Sequence, residues 1–341
     1  MQTRFFKYLF FLFILLILCF FLSLCLGSVS IPFSEVFAIL FGGEATVKSW
    51  SHIILDYRLP KAITSVLIGS SLGISGLLMQ TLFKNPLAGP FVLGISSGAS
   101  LGVAIAILGS SLFGVAIGGF FVSKWGLIVV SSSGSFLVLL AVLSVSGKMR
   151  DTMAILIIGL MFGSLTSAIV SVLSFFSSAE QLQQFVFWGF GNVSNLSWNE
   201  IWILFLVYSL GLMLCISVLK HLNSMLLGDN YAQSLGVNIK KNRILIILAT
   251  SLLAGSVTAF AGPIAFIGLA IPHLARQVFK TSNHQVLLPA IFLIGATVML
   301  VCDTVAQLPF LETMLPLNAI TSLIGAPVVI WLLVRQRKMI F

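Results

Sequence analysis

Charge is what this sequence has least of. Its 341 residues include 18 Lys and Arg, 9 Asp and Glu and 4 His, so only 8 % of the chain is charged. Soluble domains run near 25 % charged and 45–50 % apolar, whereas this chain is 59 % hydrophobic with a mean hydropathy of +1.14. Even a domain of roughly 300 residues buries only about 75 % of its chain surface, so no water-soluble fold could hide this much apolar area. A cytosolic enzyme, a secreted disulfide scaffold and a nucleic-acid-binding domain are excluded together, and lipid is left as the solvent.

The usual chemical motifs are also missing. Gly147-Lys148 is followed by Met149 and no glycine stands five residues before Gly147, so the phosphate-cradling P-loop is absent. There is no His-Glu-x-x-His zinc site and no Cys-x-x-Cys pair. The four histidines, His52, His221, His273 and His284, are scattered and read as polar interfacial residues rather than metal ligands. Cys19, Cys25, Cys215 and Cys302 all fall inside apolar runs, which argues against disulfides. No catalytic residue, metal site or resident cofactor is expected. The first apolar run, Tyr8 to Leu26, is too long for a signal-peptide core and no small-residue cleavage site follows it. Leu22-Ser23-Leu24-Cys25 is only a faint lipoprotein signal because Leu24 is bulky, so an uncleaved helix is expected.

What the chain has is long apolar runs. About 20 such residues make a spanning helix, and ten candidates occur near 8–27, 60–82, 92–110, 126–146, 153–173, 200–219, 244–261, 263–279, 286–307 and 317–334. The eighth is short and interrupted by Pro263 and Pro272, and the stretch 111–123 is apolar too, either lengthening the third span or lying in the interface. The expected fold is all-α and polytopic, one transmembrane domain over 1–341. With the N-terminus inside, fourteen basic residues fall on cytoplasmic segments, from Arg4 and Lys7 through Lys84, Lys148 and Lys240 to Lys338. Only Lys48, Arg58, Lys61 and Lys124 fall outside. That split obeys the positive-inside rule with both termini cytoplasmic, so the basic balance reports orientation in a membrane and no nucleic-acid partner is implied.

The centres of nearly all spans lack Asp, Glu, Lys and Arg, which argues against proton- or sodium-coupled transport. Asp303, about a turn inside the outer end of the ninth span, is the nearest exception, read as an interfacial carboxylate or a helix-packing contact. Small residues recur at four-residue spacing: Gly94, Gly98 and Gly102, then Gly159, Gly163, Ser167 and Ser171; the second span has Gly69, Gly73 and Gly76 with serines between them. Such stripes let backbones approach closely, either within the chain or at a subunit interface or pore lining. Irregular clusters at Lys84 to Pro90, Gly262 to His273 and Gly325 to Pro327 are tolerated at membrane depth only inside protein or beside water, which favours a transporter body over an anchor. Two loops stand out. The cytoplasmic connection of about 220–243 mixes Met225, Leu226, Leu227, Leu235 and Val237 with polar residues, as a docking surface or a solvated linker would. The outer segment 174–199 carries Trp188 and Trp198 and fits a short interfacial helix.

A series of motifs runs the length of the chain. Arg58-Leu59-Pro60-Lys61 continues through Leu67-Ile68-Gly69 to Asn85-Pro86-Leu87-Ala88 and Leu93-Gly94-Ile95-Ser96-Ser97-Gly98. Trp188-Gly189-Phe190, Leu227-Gly228-Asp229 through Leu235-Gly236-Val237, and Gly262-Pro263-Ile264 into Pro272-His273 and Arg276 follow in order. Asp303-Thr304 and Gly325-Ala326-Pro327 complete the set. Together these closely resemble the FecCD-type permeases of ABC importers for iron-siderophores, haem and cobalamin.

The resemblance implies a type II ABC importer permease fold of ten helices, in the bacterial cytoplasmic (inner) membrane, paired as a homodimer with the path along its two-fold axis. Two ATP-binding subunits inside would use ATP and Mg, and a substrate-binding protein would dock outside. It assigns Arg58 and Lys61 to binding-protein docking, with lipid-headgroup anchoring as their alternative, and Leu227, Gly228, Asp229, Ala232, Leu235 and Gly236 to ATPase coupling. Met161, Ser164, Ser167, Ser171, Asn318 and Thr321 are taken to face the translocation path. The sequence departs from the cobalamin pattern at Gln307, where a basic residue is expected, and across Glu312 to Asn318. A non-transporting scaffold or receptor, and a secondary transporter or channel, are the competing readings. An iron chelate, haem or cobalamin would be the cargo of the importer.

Overall fold

The computed structural model describes residues 2–43, 45–110, 120–146, 152–194, 196–307 and 314–335, and every regular element among them is helical. In chain order they are α1 (Gln2–Cys25), α2 (Phe33–Leu40), α3 (Lys48–His52), a π-helical turn (Ile53–Arg58), α4 (Leu59–Leu82), a 3-10 turn (Pro90–Leu93) and α5 (Ile95–Leu108). Then come α6 (Lys124–Ser146), α7 (Thr152–Phe175), α8 (Ala179–Gly189), α9 (Trp198–Leu226) and α10 (Asp229–Ser234). The chain continues with α11 (Ile239–Ala261), α12 (Ile267–Phe279), α13 (His284–Ala306) and α14 (Leu317–Arg335).

Each of the ten expected spans corresponds to one of these helices. Among the described residues seven stretches are long and apolar enough to cross a membrane, and α5 and the apolar part of α14 are shorter. The eighth, α12, has only 13 residues with Pro272 inside it, and the chain before it is irregular from Gly262 to Phe266. The expected outer helix is α8, whose start is fixed by a capping box: Ser178 and Gln181 satisfy each other's backbone N–H groups. One boundary shifts. The span near 200–219 continues as helix to Leu226, so the cytoplasmic connection proper is 227–238. The expectations for 111–119, for Lys148 and Arg150, for Glu312 and for Arg337 and Lys338 lie outside the described residues.

The chain divides into two compact units. The first comprises Met1–Ile74, Asn192–Leu206 and Ala265–Met339. Within it α1 packs on α13, and α12, α13 and α14 pack on one another. Leu16, Leu24, Ile31, Val36, Ile39, Ile54, Ala296 and Leu300 form a buried cluster. The first half of α4 meets α13 at backbone distance: a Cβ added to Gly69 would lie 2.2 Å from the Gly295 carbonyl oxygen. Only glycine allows that approach.

The second unit, Ser75–Gly191 with Val207–Ile264, is built on α5, against which α6, α7, α8 and α11 pack. Here the four-residue glycine stripes serve as internal seams. A Cβ on Gly98 would sit 2.4 Å from Gly134 O, one on Gly102 2.2 Å from Val130 O, and one on Gly159 2.2 Å from Val92 O. Gly163 has a looser neighbour, Ser97 Oγ at 3.2 Å, and Ser167 and Ser171 are exposed. The α7 stripe therefore packs for its first half only.

Pro60 stands one residue into α4, yet the helix runs on without a break from α3 through the π turn. Proline has no N–H to give to the preceding turn, and its ring presses on the carbonyl four residues back. The wider π turn immediately before it, a feature that occurs mostly as single turns inside α-helices, makes that room.

Candidate functional site

Three regions follow from the residues singled out in the sequence. The first is the rim beside the π turn. Arg58 Nη1 donates to the carbonyls of Leu24 at 2.6 Å and Cys25 at 3.0 Å, and its Nη2 donates to Val29 O. The last carbonyls of a helix have no intrahelical partner, and a guanidinium with five donors in a fixed fork is suited to collect them. A Cβ on Gly27 would lie 2.8 Å from Arg58 Nη2, so a side chain there would displace the guanidinium. Lys61, one turn on, is buried, and its Nζ lies 2.9 Å from Asp303 Oδ1 on α13. Asp303 is thus a helix-packing carboxylate, one of the readings open from sequence. Tyr57, Arg58, Lys61, Ser194, Gln307 and Met314 are among the residues lining a cleft of about 220 Å³. Gln307 Nε2 donates across it to Ser194 Oγ at 3.4 Å. Arg58 and Lys61 therefore share one rim, but both head groups hold intramolecular partners.

The second region is the connection 227–238. Gly228 (φ 116°) starts α10 and Gly236 (φ 82°) ends it, with open space around both. Their backbone conformation, rather than crowding, selects glycine. The Val237 N–H closes the turn on Ala232 O at 3.0 Å, and Ala232 and Val237 are buried. Asn238 caps α11 by accepting the Lys241 N–H at 3.0 Å. Asp229 Oδ1 lies 2.8 Å from Lys84 Nζ, which ties the loop to the Lys84-Asn85-Pro86 turn. That fixed frame turns Leu227 (68 % exposed), Tyr231 (50 %) and Leu235 (58 %) outward. Met225 and Val237, grouped with them in sequence, are instead internal. Tyr231 was not singled out in the sequence, although its signal was there: 227, 231 and 235 stand four apart. A cleft of about 650 Å³ lined by Asp229, Asn230, Gln233, Asn238, Lys240 and Arg243, among others, adjoins the loop.

The third region is the set expected along a path. Met161, Ser164, Ser167 and Ser171 are exposed on α7. Ser164 Oγ donates back to Leu160 O at 3.2 Å and Ser171 Oγ to Ser167 O at 2.8 Å, so these hydroxyls satisfy themselves within their helix. Asn318 and Thr321 sit differently. Asn318 Oδ1 accepts the Ala265 N–H at 3.0 Å, holding the irregular segment before α12, and Thr321 is fully buried with its hydroxyl on Asn318 O at 3.1 Å.

Comparison with known proteins agrees with these motifs. The model of the FecCD transport family matches residues 15–335. The vitamin B12 import system permease protein BtuC of Klebsiella pneumoniae subsp. pneumoniae is 34 % identical over 336 residues, covering 98 % of this chain and 96 % of the relative. BtuC of Shigella boydii serotype 18 is 34 % identical over 325 residues, covering 95 % of this chain and 94 % of the relative. Among solved structures, an inward-facing conformation described as a metal-chelate type ABC transporter superposes with a TM-score of 0.83 at 32 % identity, covering 96 % of this chain and 99 % of that one.

Proposed function

Because the chain belongs to the FecCD transport family, we propose that it moves a chelated-metal compound of the cobalamin or iron-chelate class inward across the cytoplasmic membrane, as a homodimer with two ATP-binding subunits and an outer substrate-binding protein. It is a multi-pass permease of the type II ABC importer class. The observation that carries the substrate reading is its 34 % identity, along 98 % of its length, to a vitamin B12 import permease. Spans free of central charge suit a bulky cargo that must enter and leave without being held by ion pairs. ATP hydrolysis belongs to the partner chain, and the bias needed to switch between outward- and inward-open states is a few kcal/mol.

Within this reading Arg58 and Lys61 shape the outer rim on which the binding protein docks, and Leu227 to Gly236 carry the ATPase's motion into the spans. Met161, Ser164, Ser167 and Ser171 face the path, while Asn318 and Thr321 hold its wall. Charge complementarity at the rim chiefly sets encounter rate, so capture of the binding protein should slow as salt is raised.

The test is to purify the tagged permease in mild detergent from its own host, with whatever accompanies it, and reconstitute it in vesicles. Uptake of labelled cobalamin, ferric siderophore and haem is then followed with and without ATP. Two permease copies with two P-loop ATPases, and ATP-dependent accumulation of one of these chelates, are expected. A particle that recruits no ATPase even with nucleotide, or uptake indifferent to ATP, would restore the scaffold or secondary-transporter reading.

A further inference from the structure

The short helix α2 has three faces of different character. Val36 and Ile39 are buried in the cluster with Leu24, Ile31 and Ile54. Glu35, on a second side, accepts the Thr46 N–H at 3.1 Å and the Thr46 hydroxyl, which ties the helix to the returning chain and fixes its roll. The third side carries phenylalanines at four-residue spacing, a ladder that Phe41 continues one residue past the helix end. Phe33, Phe37 and Phe41 are 58 %, 48 % and 74 % exposed, with ring centroids 6.3 Å and 4.5 Å apart in sequence.

We propose that α2 is a lipid anchor lying in the membrane–water boundary, on the side opposite the basic loops, with the Phe33–Phe37–Phe41 ladder set into the acyl chains. The argument is continuity with a surface that already meets lipid. Phe33 packs edge-on against Phe21 of α1 at 5.6 Å, and Phe21 against Phe20 at 6.3 Å. Phe13, Leu18 and Leu22 lie exposed along that same apolar helix, which packs on α13 along one side and leaves these side chains uncovered by the protein on the other. The ladder therefore extends the lipid-facing skin of a span around its end. A helix of 8 residues is far too short to cross, but an amphipathic helix can lie in the interface with its apolar face roughly 5–10 Å into the headgroup–acyl boundary. The flanking chemistry fits that depth: Lys48 is exposed and Trp50 half-buried at the start of α3, the residue types that favour the headgroup level. Glu35, the one acid of α2, faces away from the ladder and is already satisfied.

The full-length protein is placed in phosphatidylcholine vesicles whose acyl chains carry bromine either near the headgroup or near the bilayer centre. Phe37→Trp adds one indole, read as the difference in emission from the unsubstituted protein, and Phe41→Trp is read in parallel so that one poorly folded variant does not decide. Bromine near the headgroup should quench the added emission about twofold more than bromine at the centre, the depth of an interfacial helix, and aqueous iodide should quench it little. Strong iodide quenching in both variants overturns the proposal. So does emission shielded from both bromine and iodide, which would put a second copy on the ladder. Emission that shifts only when the binding protein is added would assign the ladder to that protein and overturn it equally.

Discussion

Lys61 Nζ and Asp303 Oδ1 stand 2.9 Å apart, on α4 and α13, with both side chains less than a tenth exposed. A buried pair repays its desolvation only when both charges are present, and removing one leaves the other stranded, at a cost of about 3–5 kcal/mol. Lys61→Met or Asp303→Leu alone should therefore lower stability by about that amount in thermal unfolding of the detergent-solubilised protein. The double variant Lys61→Met/Asp303→Leu should recover most of it. Additive losses in this cycle would mean the two groups do not act as a pair.

Gly69→Ala should be costly for a different reason. The new methyl would meet the Gly295 carbonyl at 2.2 Å, and overpacking of this kind costs about 1–3 kcal/mol. Gly255→Ala in α11 is the control. Its nearest neighbours would be at 3.6 and 4.0 Å, so it should be neutral or gain up to about 1 kcal/mol from helix propensity. Equal melting temperatures for the two variants would contradict the backbone-contact seam.

Leu235→Asp should leave folding intact, since the side chain is 58 % exposed, and reduce ATP-driven uptake about tenfold or more, the weight of one interface anchor. Val237→Asp, two residues on and buried, should instead prevent accumulation of the folded protein. Unchanged uptake in the Leu235 variant would remove the coupling role from this loop.

The Thr46 hydrogen bonds hold the Glu35 carboxyl below its ordinary value. A carboxyl with a depressed folded value stabilises its contact above the unfolded value, and the contribution is lost as pH falls through the folded one. Protection of the Thr46 amide against hydrogen exchange should thus persist through the ordinary carboxylate range and drop below it. Glu35→Gln should abolish that pH-dependent step, and an identical step in the variant would assign it elsewhere.

Nearly all of the span layout was legible because runs of about 20 apolar residues are long-range averages that no single contact can overturn. The glycine stripes were legible as stripes, but their partners were not: nothing local says that Gly98 meets Gly134 while Ser167 lies exposed. The rim shows the same limit. Arg58 and Lys61 read as free outer charges because the carbonyls and the carboxylate that occupy them come from other helices. The helix α2 escaped notice because 8 residues with Phe33 and Phe37 among them, and Phe41 just beyond, look like one more apolar patch in a chain full of them. In the loop 227–238 the apolar content was visible, but the division into inward Val237 and outward Leu235 required the turn at Gly236.

The contact between Gly69 and Gly295 also constrains how the molecule can move. Sliding of packed helices depends on side chains that hop between alternative fits, and a seam of carbonyl against bare α-carbon has none to offer. Helices α4 and α13 are accordingly welded at that level and should travel as one rigid block through a transport cycle. Any hinge serving the first unit must then be sought where side chains, not main chains, form the joint.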